Sequence, residues 1–424
     1  MIKFEYIKNP SVFRGVLFWW IIAIILTFSS TKYLPGMMIF SDAWAVVSLS
    51  MLLFLLFFSE YEFSLFEKYL VAMAFYLPFS SAICSFLVFD QPLLYGILCV
   101  RQLFIVGFTL FFLRLVRQER VGVDILCKAF ETLSWVNLGL TVFANLLIDP
   151  TKLAPADGFV DESDPRLMLE SSFIVFGFLF YGISGFVRGV NRHIFYSLIF
   201  IAGYAIYSGG RFGLISMVVA FVICCTKWLS IRDASVFLIK ISIALVVGSG
   251  IALAVDQEKI DSLIYKFGEA FFVLTTGQEG FDDSANSRLT QLDIITPYLE
   301  DNFIFGNGFL SAQWNEGFKG YFGYFHPSDN GYLGVVFVYG VLGLFLVLLQ
   351  FYFAYKVSCR IKKIENVGAV DFLRAVQAFL VFIFIYSFTT GRMAFNFEHT
   401  VFMVSILYAY CFCYDGSGSG LRKK

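Results

Sequence analysis

The sequence predicts an all-α polytopic membrane protein with about twelve transmembrane helices, both termini cytoplasmic and one large helical extracytoplasmic loop. Three observations predict it. The 424 residues are 58% hydrophobic and only 15% charged, with mean hydropathy +0.76, whereas a soluble domain carries about a quarter charged residues. Apolar runs recur at lengths that cross roughly 30 Å of hydrocarbon. Lys and Arg gather in alternate connections, as the positive-inside rule requires. The whole chain, 1–424, reads as one membrane domain, with the large loop 256–328 inserted before the last three spans.

The runs lie near 15–30, 37–58, 69–89, 93–113, 129–148, 171–187, 194–208, 212–227, 234–255, 329–355, 373–390 and 399–414. The first follows a basic start (Lys3, Lys8, Arg14) but lacks an Ala-x-Ala exit, so it reads as a span and not a cleaved signal. Cytoplasmic connections then hold Arg114, Arg117, Arg120 and Lys128; Arg188 and Arg192; Lys227 and Arg232; Lys356, Arg360, Lys362 and Lys363; and Arg422, Lys423 and Lys424. Asp149–Glu170, which is acidic, and Asp256–Ser328 fall outside. In the larger loop, Ile260, Leu263, Ile264, Phe267, Phe271 and Leu274 recur at helical spacing and predict a helix on the membrane surface. A second helix should run from Arg288 through Leu299, capped by Ser284 or Asn286 and ended or kinked by Pro297. Gly306 and Gly308 mark a tight turn, and an aromatic stretch follows with Trp314, Tyr321, Phe322, Tyr324 and Phe325.

The eight cysteines fall in or beside apolar runs and form neither a disulfide framework nor a metal-ligand spacing; Cys411 and Cys413 read as core packing. Neither GxxxxGK[ST] nor HExxH occurs, which sets aside ATP-driven and zinc chemistry, and nothing implies a nucleic-acid partner. Charged groups at membrane depth are costly and mark candidate sites. Arg211, in SGGRFG, sits at the outer end of a span, either as a ligand or as a snorkelling arginine. Arg101 lies in mid-span and must face an internal partner or a cavity. Arg288 and Arg392 join Arg211 on the outer side, where guanidinium groups suit a phosphate-bearing substrate. His326 and Asp329 stand where the loop re-enters the membrane. Either could be a general base, or Asp329 a helix cap and His326 a surface residue. Gly331, Gly334, Gly340 and Gly343 should allow close helix packing.

The run SRLTQLDIITPYLEDNFIFGNGF resembles the arginine, helix, then N-P-hydrophobic-G-x-G signature of the O-antigen polymerase and ligase superfamily. SDNGYLGVVFVYGVLG and SGGRFGL are similar to two further elements of it. The resemblance implies a metal-independent membrane glycosyltransferase without cofactors, acting in the lipid bilayer at the outer face of a bacterial inner membrane. Its substrate would be an undecaprenyl-diphosphate-linked oligosaccharide, and its partners a chain-length regulator and a flippase. Arg211 and Arg288 match the family's essential arginines and inherit a diphosphate role. Ligases of the family carry a His at the position held here by Asp329, followed by Asn330 and, nine residues on, by the Gly340/Gly343 pair. That departure favours a repeat-unit polymerase of the Wzy type over an O-antigen ligase; a transporter or flippase of lipid-linked oligosaccharides is the alternative from another class.

Overall fold

The computed structural model describes residues 38–58, 62–117, 122–147, 171–207, 211–228, 283–361 and 367–413, with isolated positions between 235 and 280. The predicted spans 15–30 and 234–255 and the predicted surface helix over Ile260–Leu274 lie outside the described residues. Among those described there is no strand, and the predicted spans that fall there are helical, 93–113 in two pieces: α1 Met38–Phe58, α2 Leu65–Phe89, α3 Leu93–Cys99, α4 Val106–Arg117, α5 Val123–Leu147, α6 Ser172–Arg188, α7 Asn191–Tyr207 and α8 Arg211–Trp228. The loop contributes α9 Asp283–Asn302 and the short α10 Phe318–Phe322. α11 Gly331–Ser358, α12 Val367–Thr390, α13 Arg392–Phe395 and α14 Phe397–Cys413 complete the chain. Three stretches, Leu65–Phe89, Pro327–Ser358 and Gly368–Thr390, are long and apolar enough to cross a membrane unaided, and the bent pair α3/α4 makes up to four.

α12 is the axis of the bundle, packed by α6 and α8 on one flank and by α11 and α14 on the other. Its side chains explain this. Phe372 and Phe379 meet Phe176 at 5.8 and 6.4 Å, and Phe130 joins Phe176, Phe372 and Phe402 at 5.0 to 6.4 Å. Such ring pairs supply interior packing that lipid, as apolar as the side chains themselves, cannot drive by exclusion.

One end of the bundle is tied by ion pairs. Glu67 is fully buried in the first turn of α2, in a capping box with Ser64, and Arg117 at the end of α4 lies 3.0 Å from it. Arg188 at the end of α6 reaches Asp371 in α12 at 2.8 Å. Two arginines that signal a cytoplasmic side in the sequence are therefore also partners of buried carboxylates, which are costly without them.

The predicted span 93–113 is not straight: α3 and α4 meet at 58° across a 3-10 turn, Arg101–Ile105. Arg101 opens this turn and finds the partner its position requires. It donates to Asp42 of α1 (Nε, 2.7 Å) and to the Leu98 carbonyl (2.6 Å), taking up an acceptor that a continuous helix would use.

The segment Phe303–Ser311 does not lie beyond the helix ends. It packs between α2 and α11, where α11 breaks at Gly340 (φ 68°, ψ 178°). Gly340 lies nine residues past Gly331, about 14 Å along the axis. The break orphans backbone groups that only this segment satisfies: Val341 and Leu342 N–H donate to Phe303 and Ile304 (2.9 and 3.2 Å), and Asn307 and Gly308 N–H donate to Phe337 and Val338 (2.7 and 2.9 Å). On the α2 side, Ser81 accepts from Phe309 N–H (2.9 Å), and Gln91 bonds both Phe309 and Ser311. Gly306 is the tight turn the sequence predicts (φ 76°), and a Cβ there would strike the backbone of Val338 and Gly340. Gly340 thus serves this insertion and not the helix packing expected of it. Phe303, Ile304 and Phe305 are exposed, as are Ile83 and Phe86 of α2 and Phe345 of α11.

Candidate functional site

α9 carries Arg288 toward the end of the bundle where α2, α12 and the start of α11 finish. The helix begins at Asp283, earlier than expected, so neither Ser284 nor Asn286 is its cap. Asn286 instead ties the helix to the preceding turn, accepting from Gly280 N–H (2.9 Å) and donating to its carbonyl (2.7 Å). Pro297 is inside the helix and does not end it.

His326 and Asp329 belong to a tight turn. Pro327, whose φ is preset, opens the 3-10 turn Pro327–Asn330, and Asp329 N–H donates to the His326 carbonyl at 3.0 Å. No side-chain cap closes either this turn or α11, so the capping alternative for Asp329 is not realised. The turn is fastened to α9 through Gln291, whose Oε1 accepts from Asn330 Nδ2 (2.7 Å) and His326 N–H (3.2 Å). It is fastened to α12 through Gly331, which lies against the carbonyls of Ser387 and Phe388.

Two tyrosines report how these groups are disposed. The Tyr324 hydroxyl is pushed above its ordinary value by burial and by the Asp329 carboxylate, against the opposing pull of Arg288. Tyr386, in α12, lies within electrostatic reach of the same Arg288 and Asp329. Its ring stacks on Phe382 (5.3 Å) and on Phe212 (6.4 Å), the second residue of α8. Tyr386 also packs beside Gly213. The head of α8, which begins at Arg211, therefore abuts a ring that Arg288 and Asp329 reach electrostatically. The side chain of Arg211 lies outside those described.

Arg392 approaches the same ring from α13, its Cζ 5.7 Å from the Tyr386 centroid. It is not at an open edge: it is 8% exposed and donates to Ser172 Oγ at 2.9 Å, and His399 Nδ1 stands 3.2 Å from that oxygen. Burial pulls the Arg392 guanidinium down to about 10, with Glu398 opposing, so it stays charged at neutral pH.

Arg392 thus packs on Tyr386 beside the start of α8, Arg288 and Asp329 lie within electrostatic reach of the same ring, and His326 is edge-on to Tyr324 at 5.4 Å. The aromatic stretch is only partly interior: Phe325 is buried, Trp314 and Phe322 are half-buried, with Phe322 packed on Phe318, Phe325 and Phe337, and Tyr321 and Tyr324 are exposed. Among the described residues no group of three His, Cys, Asp or Glu side chains could hold a metal ion. The sequence reading missed Gln291, Tyr386 and Ser172. Only Gln291 had a signal, standing three residues beyond Arg288 on the same helix face.

The positions that converge span both sides of the large loop, and comparison with known families covers most of them. No curated protein matches the chain. Residues 196–348, from within α7 to within α11, match the family model described as O-antigen ligase, consistent with the O-antigen polymerase and ligase superfamily.

Proposed function

We propose that the protein is a repeat-unit polysaccharide polymerase at the outer face of a bacterial inner membrane. It would move a glycan from undecaprenyl diphosphate to the non-reducing sugar of a second lipid-linked repeat unit. The observation that carries this reading is the docking of the turn bearing Asp329 onto α9, the helix that bears Arg288, through Gln291, with both charged groups within electrostatic reach of Tyr386 at the head of α8. A fixed cation beside a carboxylate suits a displacement in which a diphosphate leaves while a hydroxyl is deprotonated.

In that reaction the acceptor hydroxyl oxygen forms a bond to the anomeric carbon and the bond from that carbon to phosphate oxygen breaks. The electron pair departs with undecaprenyl diphosphate, and the hydroxyl proton passes to Asp329. Arg288 and Arg211 hold the departing diphosphate. Arg392, buried behind Tyr386, adds a permanent positive charge in a low-dielectric setting, where its field is felt more strongly than in water.

The description of the matching family favours a second reading, an O-antigen ligase with lipid A core as acceptor. Asp329 at the ligase histidine position speaks against it. The deciding experiment is a glycan gel of a strain lacking the gene, where single capped repeats mark a polymerase, uncapped core a ligase, and cytoplasmic lipid-linked units a flippase. Arg211→Ala and Arg288→Ala should each reach the membrane and give only single repeats; normal ladders from both overturn the diphosphate role.

A further inference from the structure

We infer that Gln291 is a positioning residue whose side-chain amide sets the separation of Arg288 and Asp329, coupling departure of the diphosphate to activation of the acceptor hydroxyl. This rests on the roles proposed above for those two residues. Gln291 is 1% exposed and one helical turn below Arg288 on α9. Its Oε1 is the acceptor for two donors, both in the turn that bears Asp329: the side chain of Asn330, the next residue, and the backbone N–H of His326, which opens the turn. Asn330 Nδ2 also donates to the His326 carbonyl (3.2 Å), the acceptor of Asp329 N–H, so the turn is closed on itself before it is docked on α9. One oxygen therefore registers the element carrying the cation against the element carrying the carboxylate. Asn330 Oδ1 is itself buried with no hydrogen-bond partner among the described residues, an acceptor beside Asp329 that a sugar hydroxyl would satisfy.

Positioning of this kind is worth much to a rate, since a shift of about 1 Å in a reacting group costs on the order of 100-fold. Gln291→Met keeps the length and removes the acceptor. The paired change Gln291→Asn with Asn330→Gln exchanges the two lengths and keeps the amide bond. The test uses the full-length protein in nanodiscs, lipid-linked repeat units purified from a strain lacking the gene, and undecaprenyl diphosphate as binding probe. Gln291→Met should bind that probe with wild-type affinity and stoichiometry while turnover falls about 10- to 100-fold, and the paired change should recover most of the rate. Asn330→Ser should reproduce the loss should Gln291→Met fail to accumulate. Turnover falling in step with binding stoichiometry marks a folding defect and overturns the inference. So does normal turnover of Gln291→Met beside an inactive Arg288→Ala, which leaves the proposed function standing. An active Arg288→Ala overturns the diphosphate role proposed for Arg288, and the positioning role with it.

Discussion

Gly340→Ala tests whether the break in α11 and the segment docked in it form one unit. At φ 68° and ψ 178° the backbone is in a region open essentially to glycine, and an added Cβ would fall on the Ile304 carbonyl with backbone atoms of Phe305 behind it. The substitution therefore adds about 1–3 kcal/mol of backbone strain. Relief requires the inserted segment to withdraw, which removes the bonds from Val341 and Leu342 N–H to Phe303 and Ile304 at about 1 kcal/mol each. The sum is about 3–5 kcal/mol. Thermal denaturation of the purified protein should show a lower midpoint, and Cys84 supplies a local reporter, since its Sγ lies 3.6 Å from the Phe305 carbonyl. N-ethylmaleimide labelling of Cys84, followed by peptide mass spectrometry, should be faster in the variant. An unchanged midpoint together with unchanged Cys84 labelling would refute the reasoning.

Three further outcomes are expected. Arg117→Ala strips the buried Glu67 of its cationic partner and should destabilise the protein by about 3–5 kcal/mol in the same denaturation assay; a loss below 1 kcal/mol would mean that Ser64 suffices. Arg101 and Asp42 are 31% and 49% exposed, so a double-mutant cycle between them should give a coupling under about 1 kcal/mol, with the polymer ladder retained. Asp329→Asn should leave only single repeats on a glycan gel while His326→Gln keeps the ladder; the reverse pattern would move the base to His326.

Much of the helical layout was legible in the sequence because apolar length is a local property: each run beyond a turn or two of polar residues had to be a helix to satisfy its own backbone. Boundaries shifted where a side chain outcompeted the main chain, as at Arg101. The burial of Arg392 was invisible for a different reason. TTGRMAFNFEH looks like an edge loop, and contacts distant in sequence, among them Ser172, 220 residues away, make Arg392 an interior position. Tyr386 was hidden by composition, since one aromatic among 54 Phe and 22 Tyr carries no mark of its surroundings.

What the sequence alone determined is membrane character and the order of the helices; it also offered Arg288 and Asp329 as candidates from their places in the large loop and at its return to the membrane. Tertiary structure decided which of these groups meet. A hydrogen bond such as Gln291 to Asn330 joins residues 39 apart, and the Gly340 break is filled by backbone from another segment. Neither leaves a periodicity in the chain, because each depends on how whole helices pack and not on the pattern within any one of them.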